Sequence, residues 1–373
     1  GRGAYFSATD PSSLALGLGN ALASIAARKG NSAAAATSTL APVEGNNFAY
    51  LASYTTALWK GNLEARGINV DTGSITANAS WCAENVAAGV CNAPGTIVTE
   101  TVGGTQTAYC RTPGATTCTN GTFDAQGNCN VRVPVACQGT MSSRVGIDSD
   151  TRIIKTPNST STALVDFNAA YAASNPAPFA SGTINQLSQW ALLDSSQRSE
   201  AAGANLLNYL RGQTKYEDRS SNDAEDRLFR KREGVLGDVL ESQPVYIGAP
   251  NFSYPYPGYA AFKSSQASRA GTIYLGANDG MLHAFNATNG EERWAFIPST
   301  VVPNLWRLAD KNYAALHRNF VNGPPVISDI CTANCSCDDA CVSGGSAAPV
   351  WKTILVGGLN AGGRSYYALD ITD

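Results

Sequence analysis

The stretch Gly276-Ala-Asn-Asp-Gly280-Met-Leu282-His283-Ala284-Phe-Asn286-Ala-Thr-Asn289-Gly290-Glu-Glu-Arg-Trp294 decides the fold. Alternation places Leu282 and Ala284 on one side of a strand and His283 and Phe285 on the other. The small Ala284 lets a neighbouring sheet come close. Asn289-Gly290 supplies the positive φ of a tight hairpin, and Trp294 on the returning strand covers the gap between sheets.

The same logic occurs twice more. Gly61-Asn-Leu63-Glu-Ala65 is followed by Asp71-Thr-Gly73 and Trp81, and Gly362-Gly363-Arg-Ser-Tyr366-Tyr-Ala368-Leu-Asp370 closes the chain. A module of this kind buries its face only against another copy of itself, which is the signature of a β-propeller. Ile273-Tyr-Leu-Gly276 and Ile354-Leu-Val-Gly357 read as inner strands near an axis. Leu282 and Tyr366 lie 84 residues apart, against roughly 40–50 for one blade, so either a degenerate blade intervenes or the gap carries insertions.

Outward from the repeat, Phe48 to the C-terminus reads as one mainly β unit with insertions at 82–145 and 331–349. Residues 31–47 are rich in Ala, Ser, Thr and Gly and read as a linker. Upstream, Asp10-Pro11 opens a helix whose Leu14, Leu18, Leu22 and Ile25 form one apolar stripe, closed by Arg28, Lys29 and Gly30. Residues 183–211 also read as helical.

Charged residues make up 15% of the chain and net charge is −3, which excludes a broad basic surface for nucleic acid. No apolar run reaches membrane-spanning length. Only two histidines occur, His283 and His317, which excludes multi-histidine metal sites and leaves little for histidine catalysis.

The ten cysteines fall in two groups: Cys82, Cys91, Cys110, Cys118, Cys129 and Cys137, then Cys331, Cys335, Cys337 and Cys341. The second group offers either four thiolates for zinc or a cluster, or two disulfides closing a surface loop. Even cysteine count, low charge and Gly/Thr/Asn-rich surroundings select disulfides in an oxidising compartment for all ten. Pairings are left open, except that bonding Cys335 to Cys337 is geometrically difficult.

Asp124-Ala-Gln-Gly127-Asn128 lacks the carboxylates of a calcium loop and reads as a polar turn, as does Asn278-Asp279-Gly280. His283 reads as a hydrogen-bonded sheet histidine and His317 as a partner of a short helix. The mixed run Glu217–Glu233 reads as a solvated face. Tyr254-Pro-Tyr256-Pro-Gly258-Tyr259 reads as a loop over the propeller face, with an aromatic binding ledge as the alternative.

The Asp-Thr-Gly and Trp pattern is similar to quinoprotein-type blades. Longer segments narrow the likeness. Leu206-Leu-Asn-Tyr-Leu-Arg-Gly212, Arg232 through Asp238-Val239, Ser242-Gln-Pro-Val-Tyr-Ile-Gly248, Gly276 through Phe285 and Val356 through Asp370, in that order, resemble the PilC/PilY family of type IV pilus biogenesis and tip-adhesin proteins. Tyr5-Phe-Ser-Ala-Thr-Asp10 and the following helix resemble the last segment of a von Willebrand A-like domain. The resemblance covers most of residues 1–30, 46–75 and 150–373; residues 80–145 match nothing recognisable.

It implies a partial quinoprotein-like β-propeller at 48–373, preceded by the C-terminal end of a von Willebrand A-like domain at 1–30. The implied function is pilus assembly, twitching motility and tip-associated adhesion through contacts with minor pilins, the pilus tip complex and host or abiotic surfaces. No catalysis and no cofactor are expected in this chain. The implied location is outside the cytoplasm, at the cell surface, pilus tip or periplasm. The family propeller and its calcium loop continue beyond Asp373, so the chain reads as part of a longer polypeptide. The rival functions are a quinoprotein-type dehydrogenase and an extracellular scaffold unrelated to pili.

Overall fold

The computed structural model describes residues 34–37, most of 47–84, parts of 96–132, residues 141–158, and 163–373 except 251 and 345. The helix expected at 10–29 and the von Willebrand A-like segment fall outside them.

The chain builds three propeller-type blades. The first is the antiparallel sheet β1 (Ala34–Thr37), β2 (Phe48–Thr55), β3 (Lys60–Gly67) and β4 (Trp81–Cys82). Ala34–Thr37, read from sequence as linker, thus form a strand, pairing Ala36 with Tyr50. A separate four-stranded sheet follows within 82–145: β5 (Thr96–Val102), β6 (Thr105–Thr112), β7 (Gly121–Phe123) and β8 (Cys129–Arg132).

The middle blade begins with a contribution from upstream. β9 (Ile154–Pro157) runs parallel to the blade's last strand and carries β10 (Leu164–Asp166) beside it. The meander itself is β11 (Val245–Ile247), β12 (Thr272–Gly276), β13 (Leu282–Asn286) and β14 (Glu292–Phe296). The third blade is β15 (Val326–Ala333), β16 (Val350–Gly358) and β17 (Tyr366–Asp370). The strands of Ile273 and Ile354 are therefore second in their sheets, not innermost. The first strands β1, β11 and β15 neighbour one another in series, as radial sheets sharing an axis require.

Register makes the repeat exact in position. Leu63 pairs with Ala52, Leu282 with Gly276 and Tyr366 with Gly358; two residues on, Ala65 pairs with Tyr50, Ala284 with Tyr274 and Ala368 with Val356. Equivalent faces do equivalent jobs. Tyr50, Leu63 and Ala65 of the first blade pack with Ile273, Leu275 and Phe285 of the middle blade. Tyr274, Leu282 and Ala284, on the other face of the middle blade, pack with Leu355 of the third, with Tyr367 and Leu369 against them. The period-two strand pattern thus gives the middle blade two greasy faces, each covered by a different neighbour.

Among the described residues, no further blade lies between Leu282 and Tyr366. That gap holds β14, the 3-10 helix Val302–Ala309, the short helix Tyr313–Leu316, β15, the cysteine loop and β16. Short helices between Ala169 and Leu210 join the core through Phe179, Leu206, Leu207 and Tyr209, with Phe167 packed against Tyr171 and Phe179. Asp194 caps the helix Ser195–Glu200, accepting from Gln197 N while the Gln197 side chain accepts from Asp194 N.

Candidate functional site

Two features stand where the blades meet: a tryptophan lock between the first and middle blades, and a buried charge chain inside the middle one. Two more stand on the surface: a disulfide-closed loop and a cluster of aromatic rings.

Trp81 pairs with Ala65 at the end of the first blade and is 1% exposed. Its indole Nε1 donates to the Ala287 carbonyl at 3.0 Å, in the β13–β14 hairpin of the middle blade. Gly290 in that hairpin has φ +72°, and a Cβ there would sit 2.3 Å from the Trp81 ring. The Asn-Gly turn therefore gives both the backbone conformation and the bare surface on which the indole lies. Trp294, the equivalent residue of the middle blade, pairs with Ala284 and is only half-buried, against Tyr274.

Behind the same hairpin runs the charge chain. Arg152 Nε and Nη2 donate to the two oxygens of Glu292 at 2.7 and 2.8 Å, a bidentate fork with both side chains 2% exposed. Glu292 Oε1 lies 2.7 Å from His283 Nδ1, and His283 Nε2 faces the Asp279 carboxylate at 3.1 and 3.2 Å. With a carboxylate at each ring nitrogen, both nitrogens donate, so the ring is an imidazolium. Burial alone would lower the His283 pKa; Asp279 and Glu292 outweigh it and raise it to about 9. Burial alone would raise the Glu292 pKa; Arg152 and His283 outweigh it and hold it well below the usual carboxylate range. At the far end, Arg152 Nη1 donates to the Arg211 carbonyl, and Arg211 forks onto Asp150.

This fixes a pH dependence. His283 binds its proton more tightly folded than unfolded, so its stabilisation is complete below pH 6.5 and drains as pH rises toward 9. Urea unfolding should show stability falling by on the order of 3 kcal/mol across that window. A His283→Gln variant should lack the slope. A flat wild-type profile would show that the ring is not charged.

His317 follows the helix Tyr313–Leu316 and bonds both Asp238 oxygens at 3.0 Å through Nε2, with Trp59 stacked on it at 3.7 Å. Asp279 also accepts from Gly237 N and Met281 N, which is the turn geometry expected of it. Asp124 accepts from Gln126 N, Asn128 N and the Asn128 and Asn130 amides. These bonds, Asn128 foremost, hold its carboxyl down at about 2. Among the described residues, no group of three or more His, Cys, Asp and Glu comes together as a metal cluster.

Glu217 corrects the solvated reading of its run. It is 1% exposed and receives Arg219 Nε at 2.5 Å and Arg232 Nε at 2.7 Å. Glu84 was not singled out in the sequence. It is buried and accepts from Val235 N, Leu236 N and Ser142 Oγ, joining the first blade to the strand-free approach to the middle one. Burial pushes its pKa up against those bonds. A carboxylate so far in sequence from its donors leaves no local signal.

Cys331 bonds Cys335, Cys337 bonds Cys341, and Cys118 bonds Cys129. Cys82 is also disulfide-bonded. Cys91, Cys137 and the side chain of Cys110 lie outside the described residues. The second cysteine group runs from Cys331, in β15 opposite Trp351, through the connection to β16, and Trp351 packs on Tyr259.

Comparison with known proteins bears on this core. The sequence model of the PilY1 beta-propeller domain matches residues 236–373, which hold the β11–β14 meander of the middle blade and the whole third blade. Residues 236–373 are similar to the PilY1 beta-propeller domain. The matched segment contains the Gly290 turn, His283, Glu292 and the Cys331–Cys341 loop. A type IV pilus biogenesis factor PilY1 homolog of Xylella fastidiosa is 39% identical over 180 residues, covering 46% of this chain and 13% of that protein. The type IV pilus biogenesis factor PilY1 of Pseudomonas aeruginosa strain PAK is 36% identical over 188 residues, covering 48% and 14%. The chain therefore spans about one seventh of the curated relatives it matches. The crystal structure of the Pseudomonas aeruginosa PilY1 C-terminal domain is 32% identical, covers 34% of this chain and 22% of its own, and superposes with a TM-score of 0.24. No described helix is long and apolar enough to cross a membrane.

Proposed function

We propose that this chain serves type IV pilus biogenesis from outside the cytoplasm, as a stiff platform for contacts with minor pilins, the pilus tip complex and host or abiotic surfaces. The observation that carries the reading is the PilY1 propeller match over 236–373, within relatives named for pilus biogenesis. Closed disulfides suit an oxidising compartment. Contact rather than catalysis is favoured by the histidines: His283 is buried with both nitrogens engaged, and His317 is held by Asp238 under Trp59.

Deleting the gene should abolish surface pili and twitching, and the wild-type gene should restore both. A Gly290→Val gene should not, because the blades cannot seat. A deletion strain with normal pili and twitching would overturn the proposal and favour a scaffold unrelated to pili.

A further inference from the structure

The helix Tyr313–Leu316 and the 3-10 helix before it are flanked by arginines that the fold leaves unspent. The Arg307 guanidinium lies 4.4 Å from the Trp306 ring centroid, and its Nε reaches Asn304 Oδ1 at 3.4 Å. Its two Nη groups meet no acceptor among the described residues, and the exposed Arg318 makes no side-chain hydrogen bond or ion pair there. Arg230, 4.4 Å from the Tyr313 ring, donates Nε to the Leu308 carbonyl and also has no carboxylate partner among the described residues. The acids of this region are engaged elsewhere. Asp310 is 4% exposed and holds Ser188 and the Asn312 N–H; Asp238 holds His317 and Asn278; Asp218 holds Lys311. Burial, then Arg318, pull the Arg307 pKa below its ordinary value, and Asp310 offsets only part of that. Two arginines that repel one another with their donors unused cost stability, which calls for a reason outside the chain.

The patch is held rigid and carries apolar area. Trp59, in the β2–β3 connection, donates its indole Nε1 to the Ala314 carbonyl at 3.1 Å and stacks on His317. Tyr313 is buried, and its hydroxyl donates to the Arg318 carbonyl at 3.1 Å. The backbone bearing Leu316 and Arg318 is therefore pinned at Ala314, His317 and Arg318. Leu316 is 50% exposed, and Leu58, next to Trp59, is 37% exposed. A surface ordered in advance loses little entropy on binding.

We infer that this surface docks an acidic, partly apolar segment of a partner protein, with its carboxylates on Arg307 and Arg318 and its apolar side chains on Leu316. The pairing of free guanidinium groups with open leucine selects that occupant. A guanidinium fork matches a carboxylate, and one laid on an indole keeps its aim. Arginine set on aromatic rings is also the chemistry enriched at protein interfaces. A sulfated or phosphorylated polymer has no use for an exposed leucine. An anionic bilayer is recognised by clusters of roughly four to eight basic residues, and here only Arg307 and Arg318 have free terminal donors beside Leu316.

The biological setting rests on the contact reading above, to which this adds a partner chemistry; the test does not need pili. The purified chain is titrated by fluorescence anisotropy with a short labelled peptide of repeated Glu-Leu-Asp triplets. The comparison ligands are the same peptide with Gln and Asn for Glu and Asp, inorganic phosphate, and a heparin-type sulfated oligosaccharide. The acidic peptide should bind best, and less well as salt rises from ~50 to ~500 mM. Arg307→Gln with Arg318→Gln should weaken its binding about tenfold, and Leu316→Ser about threefold. Arg318→Gln alone should leave the melting temperature unchanged or higher, because it removes repulsion and breaks no bond among the described residues. An arginine kept for the fold would lower it. The inference is overturned by no binding of the acidic peptide, equal binding of its amide version, or binding indifferent to the arginine substitutions. Tighter binding of phosphate or of the sulfated oligosaccharide, or a lower melting temperature for Arg318→Gln, overturns it as well. A peptide that fails to bind leaves the pilus assignment standing, and a normally piliated deletion strain leaves the binding result standing.

Discussion

Trp81→Ala is expected to cost about 3–5 kcal/mol in urea unfolding, the range for removing a fully buried large aromatic. The residue does three things at once. It ends the first blade, fills the space over Gly290, and donates its indole N–H to the Ala287 carbonyl. Truncation leaves a cavity between two sheets that are anchored elsewhere and cannot close onto it. Gly290→Val should be at least as harmful, because it combines a branched side chain at φ +72° with a collision against the indole. Trp294→Ala is the internal control. That ring is half-buried and packs against Tyr274 without the equivalent lock, so its loss should cost clearly less. Equal losses for Trp81 and Trp294 would mean that the tryptophans act as ordinary core residues rather than as a joint.

The second large effect belongs to Glu292. Glu292→Gln keeps the shape but strips the charge that faces Arg152 and His283. Both partners are buried, so two cations lose their shared counter-charge and stability should fall by about 3–5 kcal/mol. Replacing Arg152 by Met, His283 by Phe and Glu292 by Leu together should cost less than Glu292→Gln alone, because no fully buried charge is left unpaired among the three positions, and Asp279, which loses His283, is partly exposed and keeps its bonds from Gly237 N and Met281 N. A single variant within ~0.5 kcal/mol of wild type would remove the chain from the account of stability.

Much of this architecture can be read from the chain before any coordinates. Leu63, Ala65 and Trp81 align with Leu282, Ala284 and Trp294 because strand periodicity, a small residue at the sheet contact and an Asx-Gly turn are local necessities. The alternation on β13 also assigns its two faces correctly: Leu282 and Ala284 to one core, Phe285 to the other. Other features have no local mark. Val245–Ile247 is three residues long and half-buried, too short to identify itself as the first strand of a blade. Arg152 meets Glu292 across 140 residues, and Glu84 meets Val235 across 151. Glu217 looks like one charge among many until Arg219 and Arg232 fold around it. Charge runs carry no periodicity that separates a buried ion pair from a wetted face, so the sequence alone favours the commoner outcome. The aromatic cluster is intermediate: its residue types are visible at 252–259, but Trp351, which packs among the rings, lies far along the chain.

The most direct measurement is solvent exchange of the Trp81 indole proton, followed by NMR on protein labelled at its six tryptophans, with the signal assigned through Trp81→Phe. A proton held between two blades opens only when the joint does, so it should exchange as slowly as the slowest β12 and β13 amides. Exchange as fast as that of a surface indole would show that the blades are not seated on one another, and the shared-axis arrangement would be wrong.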